Sequence, residues 1–169
     1  MKRSHILTII VVVFITAISA YFYDTSENNK NMDAGYMTAG SFGDSTDGPL
    51  HWHPKVSILI NGEKQYVPKN IGITIGKVMD IEASGMRMSP MHTHEDDGTI
   101  HMEQVKPTER TLRLGYFFDV WDKRFDPSCI FEYCNDGNKS VKMFVNGEPN
   151  FEFDNYVPKD KDEISIVYG

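Results

Sequence analysis

An α+β fold, with a small antiparallel or mixed sheet of hairpins and one helix, is predicted by three observations. Asn61-Gly62 and Asn146-Gly147 each follow a short apolar run, the signature of a two-residue β-hairpin turn. Leu114, Phe117, Phe118, Trp121 and Phe125 recur at the period of an amphipathic helix. The chain closes on Ile164, Ile166 and Tyr168 alternating with Ser165 and Val167, which reads as a half-buried strand. One helix among several short strands is the α+β class.

Before the domain, Lys2 and Arg3 precede an apolar run from Ile6 to Phe22 interrupted only by Thr8, Thr16 and Ser19. Seventeen residues are the lower edge of a bilayer span. Tyr21, Phe22 and Tyr23 read as an interfacial aromatic belt, and the leading basic residues orient the rest of the chain outward. Residues 1–23 are therefore expected to form a single-pass signal-anchor in the cell membrane. Ala17-Ile18-Ser19 offers a small-x-small cleavage site, so a cleaved signal peptide and a secreted product are the alternative. His5 lies before the run and is expected to face solvent or headgroups.

Residues 24–50, rich in Asp, Ser, Asn and Gly without an apolar period, have the composition of a flexible linker. Residues 51–169 have the size of one globular extracytoplasmic domain. Setting aside Lys2 and Arg3, fifteen basic stand against twenty-four acidic side chains, a net charge of −9 with histidines neutral. That balance argues against nucleic acid and anionic lipid as partners and for soluble cations.

Within the domain, Val56 to Glu63 forms the first strand and turn, with a second strand expected over Lys64 to Val67. The stretch Met91 to Glu103 then holds three of the six histidines. With Asp97-Gly98 as a type I′ turn, the register pairs His94 with His101, Thr93 with Met102 and His92 with Glu103. His92, His94, His101 and Glu103 then share one face, with opposed Cβ atoms about 4.5 to 5.5 Å apart, close enough for imidazoles to converge on one ion. Glu95, Asp96 and Asp97 read as a solvated turn. His51-Trp52-His53, just before the first strand, also points two rings one way if extended.

The helix is expected from Leu114 to Arg124, with Lys123 and Arg124 suiting its C-terminal dipole and Pro127 barring continuation. Its aromatic stripe reads as core rather than as a ligand pocket. Cys129 and Cys134, an even number in an oxidising location, are expected to form a disulfide. A reactive dithiol or a pair of soft metal ligands are the alternatives, without a third cysteine or a C-x-x-C spacing to support them. Val141 to Glu148 echoes Val56 to Glu63, each is followed by a short strand (Asn150 to Phe153 in the second copy), and both copies then meet a Tyr-Val-Pro.

His51-Trp52-His53 before the strand Val56 to Gly62, Pro68 to Gly72, His92-Thr93-His94 through Gly98 to His101 and Glu103, and Leu114-Gly115-Tyr116-Phe117-Phe118-Asp119-Val120-Trp121 together resemble a family of uncharacterised exported proteins from archaea and bacteria. The resemblance covers most of residues 51–121 and implies export, with no activity attached. The chain departs from it at Glu95, where the family has Asp, and at Arg113, which stands where the family has a helix-capping Thr. Val141 to Gly169, with Lys159-Asp160-Lys161-Asp162-Glu163-Ile164 before the last strand, is similar to the end of β-grasp proteins. A Gly-Gly tail is absent, so the conjugation or sulfur-carrier chemistry of that fold is not implied.

The function expected is binding of one transition-metal ion, copper or zinc, through His92, His94, His101 and Glu103, with His53 and His51 as additional ligands or supporting groups. Met86, Met88, Met91 and Met102 crowd the hairpin, which leans toward copper if their thioethers take part; core filling is the alternative. A different class of reading makes the domain a structural subunit or interaction module of a membrane complex, its histidines only hydrogen-bonded. A small metal-dependent enzyme is the third reading. Three histidines and a carboxylate are the ligand inventory of cupin-type enzymes, but Glu103 follows His101 instead of preceding it, and no HExxH, phosphate loop or Ser-His-Asp elbow is present.

Overall fold

In the computed structural model, which describes residues 49–169, the elements in chain order are β1 (Leu50–Trp52), β2 (Lys55–Ile60), β3 (Glu63–Lys64), α1 (Ile81–Ser84), β4 (Met91–His92), β5 (His101–Gln104), α2 (Glu109–Leu112) and α3 (Leu114–Trp121). They are followed by β6 (Phe125–Asp126), β7 (Cys129–Ile130), β8 (Tyr133–Cys134), β9 (Val141–Val145), β10 (Glu148–Asn150), a 3-10 turn (Phe153–Asn155) and β11 (Glu163–Tyr168). The expected signal-anchor and nearly all of the expected linker fall outside the described residues; Leu50, assigned to that linker, begins β1. Among the described residues no helix is long and apolar enough to cross a membrane.

The two Asn-Gly turns form as their sequence dictates. Asn61 and Gly62, at φ 53° and 84°, and Asn146 and Gly147, at φ 53° and 85°, occupy the left-handed region that a type I′ turn requires at both central positions. Ile60 consequently faces Glu63, and Val145 faces Glu148. Both return strands are short and start earlier than expected. The first ends at Lys64, and the second ends at Asn150 ahead of the 3-10 turn.

These hairpins flank a five-stranded mixed sheet in the order β10-β9-β11-β2-β3, with β11 parallel to β2 at its centre and antiparallel to β9. Two outer hairpins around a parallel pair of first and last strands make a β-grasp-like arrangement. The sheet takes its centre from both ends of the domain rather than from the C-terminal half alone. Val56, Ile58 and Ile60 of β2 and Ile164, Ile166 and Tyr168 of β11 are buried in register. Asp162, itself buried, ties the entry to both central strands: its carbonyl accepts the Lys55 N–H at 2.8 Å, and its carboxylate accepts from the Tyr156 hydroxyl at 2.6 Å and the Asn146 amide at 2.8 Å.

Helix α3 buries Leu114, Phe117, Phe118 and Trp121 as the period predicts, with Tyr116 and Val120 buried beside them. It ends at Trp121, three residues short of the expected Arg124. Asp122 adopts φ 60°, and the N–H groups of Asp122 and Lys123 donate to the carbonyls of Asp119 and Phe118, a Schellman closure. Lys77 N–H donates to the Val120 carbonyl at 2.7 Å, satisfying another end group from outside the helix. At the other end Arg113 makes no side-chain cap; the Leu114 N–H instead donates to the Tyr156 carbonyl at 2.7 Å. Besides the expected helix there are two four-residue helices, α1 and α2. Cys129 and Cys134, directly opposed in the β6-β7-β8 sheet, form the disulfide.

Candidate metal centre

The histidines sit on a separate three-stranded antiparallel sheet in the order β1-β5-β4. His51 lies opposite Glu103 on one side of β5, and His92 lies opposite His101 on the other. Alternation then sorts the side chains. His51, Glu103, His101 and His92 share one face, while Leu50, Met91, Met102 and Gln104 are buried on the other. The buried face is fixed from beneath: Gln104 donates to the Thr111 carbonyl at 2.8 Å and accepts from the Thr111 hydroxyl at 2.6 Å, and α3 packs against β4.

The expected two-residue turn at Asp97-Gly98 does not form. His92 faces His101 rather than Glu103, two residues from the expected register, and residues 93–100 make a longer loop. Competing contacts explain the difference. Thr93 leaves β4 to pair with residues 68–71, its N–H donating to the Ile71 carbonyl at 3.1 Å and its hydroxyl to the Pro68 carbonyl at 2.8 Å. Gly98, at φ +91°, lies against β2: Val56 N–H donates to its carbonyl at 2.9 Å, and a Cβ on Gly98 would come within 2.1 Å of the Val56 carbonyl oxygen. Asp97 accepts from Thr99 N–H at 2.9 Å and from the Lys55 ammonium at 2.7 Å, and Lys55 holds its carboxyl well below the usual carboxylate range. A slip of two residues preserves which face each strand residue occupies. His92, His101 and Glu103 therefore stay together, and His94 joins them from the loop.

His92 is wholly buried, and its Nδ1 lies 3.0 Å from the Ser89 carbonyl. A carbonyl only accepts, so Nδ1 carries the proton and Nε2 of the neutral ring is left as a lone pair. That Nε2 lies 3.1 Å from Nε2 of His94. Burial pulls the His92 pKa down to about 4, outweighing the opposing Ser89 hydrogen bond. The ring of His101 stacks on His92 with centroids 5.5 Å apart and meets His94 edge-on at 4.7 Å. One nitrogen from each of His92, His94 and His101 falls within 4.8 Å of the others.

A second group, His51, His53, His101 and Glu103, meets the same limit of 4.8 Å. Glu103 Oε1 lies 3.1 Å from His51 Nε2 and 3.5 Å from His101 Nδ1. His53 follows the end of β1, its backbone N–H donating to the Asp160 carboxylate at 2.9 Å and its ring meeting His101 edge-on at 4.8 Å. Burial, then the neighbouring rings of His101 and His51, lower the His53 pKa. A cavity of about 300 Å³ opens beside this group, with His51, Met86, Glu103 and Val105 among its walls.

All six residues expected at the site are thus gathered on one surface, arranged as two groups rather than one, with His101 common to both. Glu103 belongs to His51 and His101 and does not stand opposite His92. Three contributors escaped the sequence reading. Glu95, read as a solvated turn residue, places Oε2 3.1 Å from His101 Nε2. The Ser89 carbonyl orients His92, and no side-chain pattern announces a carbonyl. Asp160 reaches His53 because parallel pairing sets Glu163 beside Lys55, a neighbourhood visible only once the topology is known. Of the four methionines, Met91 and Met102 belong to the core, whereas Met86 and Met88 remain half-buried. Comparison with family models, with curated proteins and with solved structures returns no match.

Proposed function

We propose that this is an extracytoplasmic, membrane-anchored domain that binds a transition metal, copper or zinc, through His92, His94 and His101, and that it serves in metal handling or delivery. The observation that carries the reading is the 3.1 Å approach of His92 Nε2 to His94 Nε2, with the far nitrogen of His92 already tied to a carbonyl. In a tetrahedral site with bonds of about 2.0 to 2.1 Å, ligand atoms sit about 3.3 Å apart. An imidazole held in one tautomer by a backbone partner is the usual outer support of a metal-ligating histidine. Imidazole with a nearby carboxylate suits Zn²⁺ and Cu²⁺, and the burial of Met91 and Met102 away from the histidine face removes half of the thioether argument for copper.

The test is a calorimetric titration of the tag-free full chain, purified in detergent, with Zn²⁺ at neutral pH. Binding that survives dialysis and is weakened at least about tenfold by His94→Ala, the size typical of losing a ligand's support or the ligand itself, agrees with the reading. Absence of any bound ion contradicts it and favours a structural or interaction module whose His51–Glu103 and His101–Glu95 contacts are hydrogen bonds alone.

A further inference from the structure

His101 is the one ring that both ligand groups need, and its two nitrogens meet different surroundings. Nε2 lies 3.1 Å from Glu95 Oε2, whereas Nδ1 is buried, has no hydrogen-bond partner among the described residues, and stands 3.5 Å from Glu103 Oε1. With the neutral ring's single proton on Nε2 and donated to Glu95, Nδ1 is a lone pair facing a carboxylate oxygen. Two acceptors turned toward each other in a buried place are costly unless a positive charge lies between them. His51 Nε2, 3.1 Å from the same carboxylate oxygen, and His53, edge-on to His101 at 4.8 Å, complete a set of three nitrogens and one oxygen there. His92 and His94 converge to 3.1 Å, and one nitrogen of His101 lies within 4.8 Å of both.

Resting on the metal-binding reading above, the geometry points to two cations rather than one, bridged by His101. Nε2 completes the set with His92 and His94, and Nδ1 completes the set with His51, His53 and Glu103. The bridging ring binds as imidazolate, so loading both positions releases its one remaining proton, for which the Glu95 carboxylate is the adjacent acceptor on the way to solvent. The imidazolate and Glu103 together bring two negative charges to the pair of cations. The first position lies between the buried His92 and the exposed His94, and the second opens through His51, whose side chain is 62% exposed, toward the cavity.

The test loads the tag-free full chain in detergent with Cu²⁺ and reads both stoichiometry and electron paramagnetic resonance, in a His5→Ala background that removes the remaining histidine. The expected result is two ions per chain, with integrated spin intensity at two equivalents well below two because copper ions bridged by one imidazolate couple. His51→Ala with His53→Ala, both at exposed or half-exposed positions, lowers the stoichiometry from two to one and restores a full uncoupled signal, and His94→Ala does the same for the other position. One ion per chain, unaffected by His51→Ala with His53→Ala, overturns the second site while leaving the first reading intact. Two ions with fully uncoupled signals overturn the bridge, and no ion at all overturns the metal centre itself.

Discussion

His92 and His101 face each other across β4 and β5 with rings 5.5 Å apart and inclined by 20°, one wholly buried and the other, at the start of the central strand, with its side chain 15% exposed. The pair joins an inner ring, fixed by a backbone carbonyl, to an outer one with carboxylates near both of its nitrogens. Its consequences separate stability from metal binding.

Replacing His92 with Ala removes a buried ring and leaves the Ser89 carbonyl without its donor. The metal-free chain is expected to lose about 1 to 3 kcal/mol, the cost of an unsatisfied buried acceptor. His94, being exposed, is expected to change the metal-free stability by no more than about 0.5 kcal/mol when replaced by Ala. Urea unfolding in the presence of a chelator measures both, and the same two variants are each expected to weaken metal binding.

The depressed pKa of His92 sets a pH window. The unfolded chain titrates this ring near 6.5 and the folded chain near 4, so between those values the unfolded state binds more protons. Stability of the metal-free protein is therefore full above about pH 6.5 and declines as pH falls toward 4, by roughly 3 kcal/mol across the window. Urea unfolding at several pH values checks this. A His92→Gln chain is expected to lose that part of the slope, and an unchanged slope would count against the buried neutral ring.

Gly98 anchors the loop that carries His94 and Glu95. Ala at this position meets both a φ of +91° and a 2.1 Å approach to the Val56 carbonyl oxygen, so Gly98→Ala is expected to cost more than about 2 kcal/mol. Zn²⁺ affinity is expected to fall with it, because the loop that delivers His94 shifts. Thermal unfolding and titration of the same sample distinguish this from a purely local change.

The disulfide serves one loop distant from the histidine sheet in the strand pairing. Closing a ring between residues five apart constrains the unfolded chain by about 2 kcal/mol. Cys129→Ser with Cys134→Ser is expected to lower stability by up to that amount and to leave metal stoichiometry unchanged, as unfolding and elemental analysis of the purified variant report.

What was legible in the sequence were features set by adjacent residues. Asn61-Gly62 and Asn146-Gly147 demand left-handed φ values wherever they occur, and β11 and the buried stripe of α3 follow from local periodicity. What escaped depended on partners remote in the chain. Asp97-Gly98 carries the same turn signal, yet Val56 and Lys55 draw it onto β2, and Thr93 is drawn to Ile71, so the loop opens and the register moves by two. The candidate site survived that error because strand parity repeats every two residues. The pairing of β1 with β5, which puts His51 opposite Glu103, and the parallel contact that brings Asp160 to His53 have no short-range signature.

Whether these imidazoles enclose a cation is decided by X-ray absorption at the zinc edge on the zinc-loaded full chain. The expected result is a first shell of nitrogen and oxygen at about 2.0 to 2.1 Å with the outer-shell scattering of at least two imidazole rings, lost in His94→Ala with His101→Ala. A first shell of oxygen alone, without imidazole scattering, would contradict it.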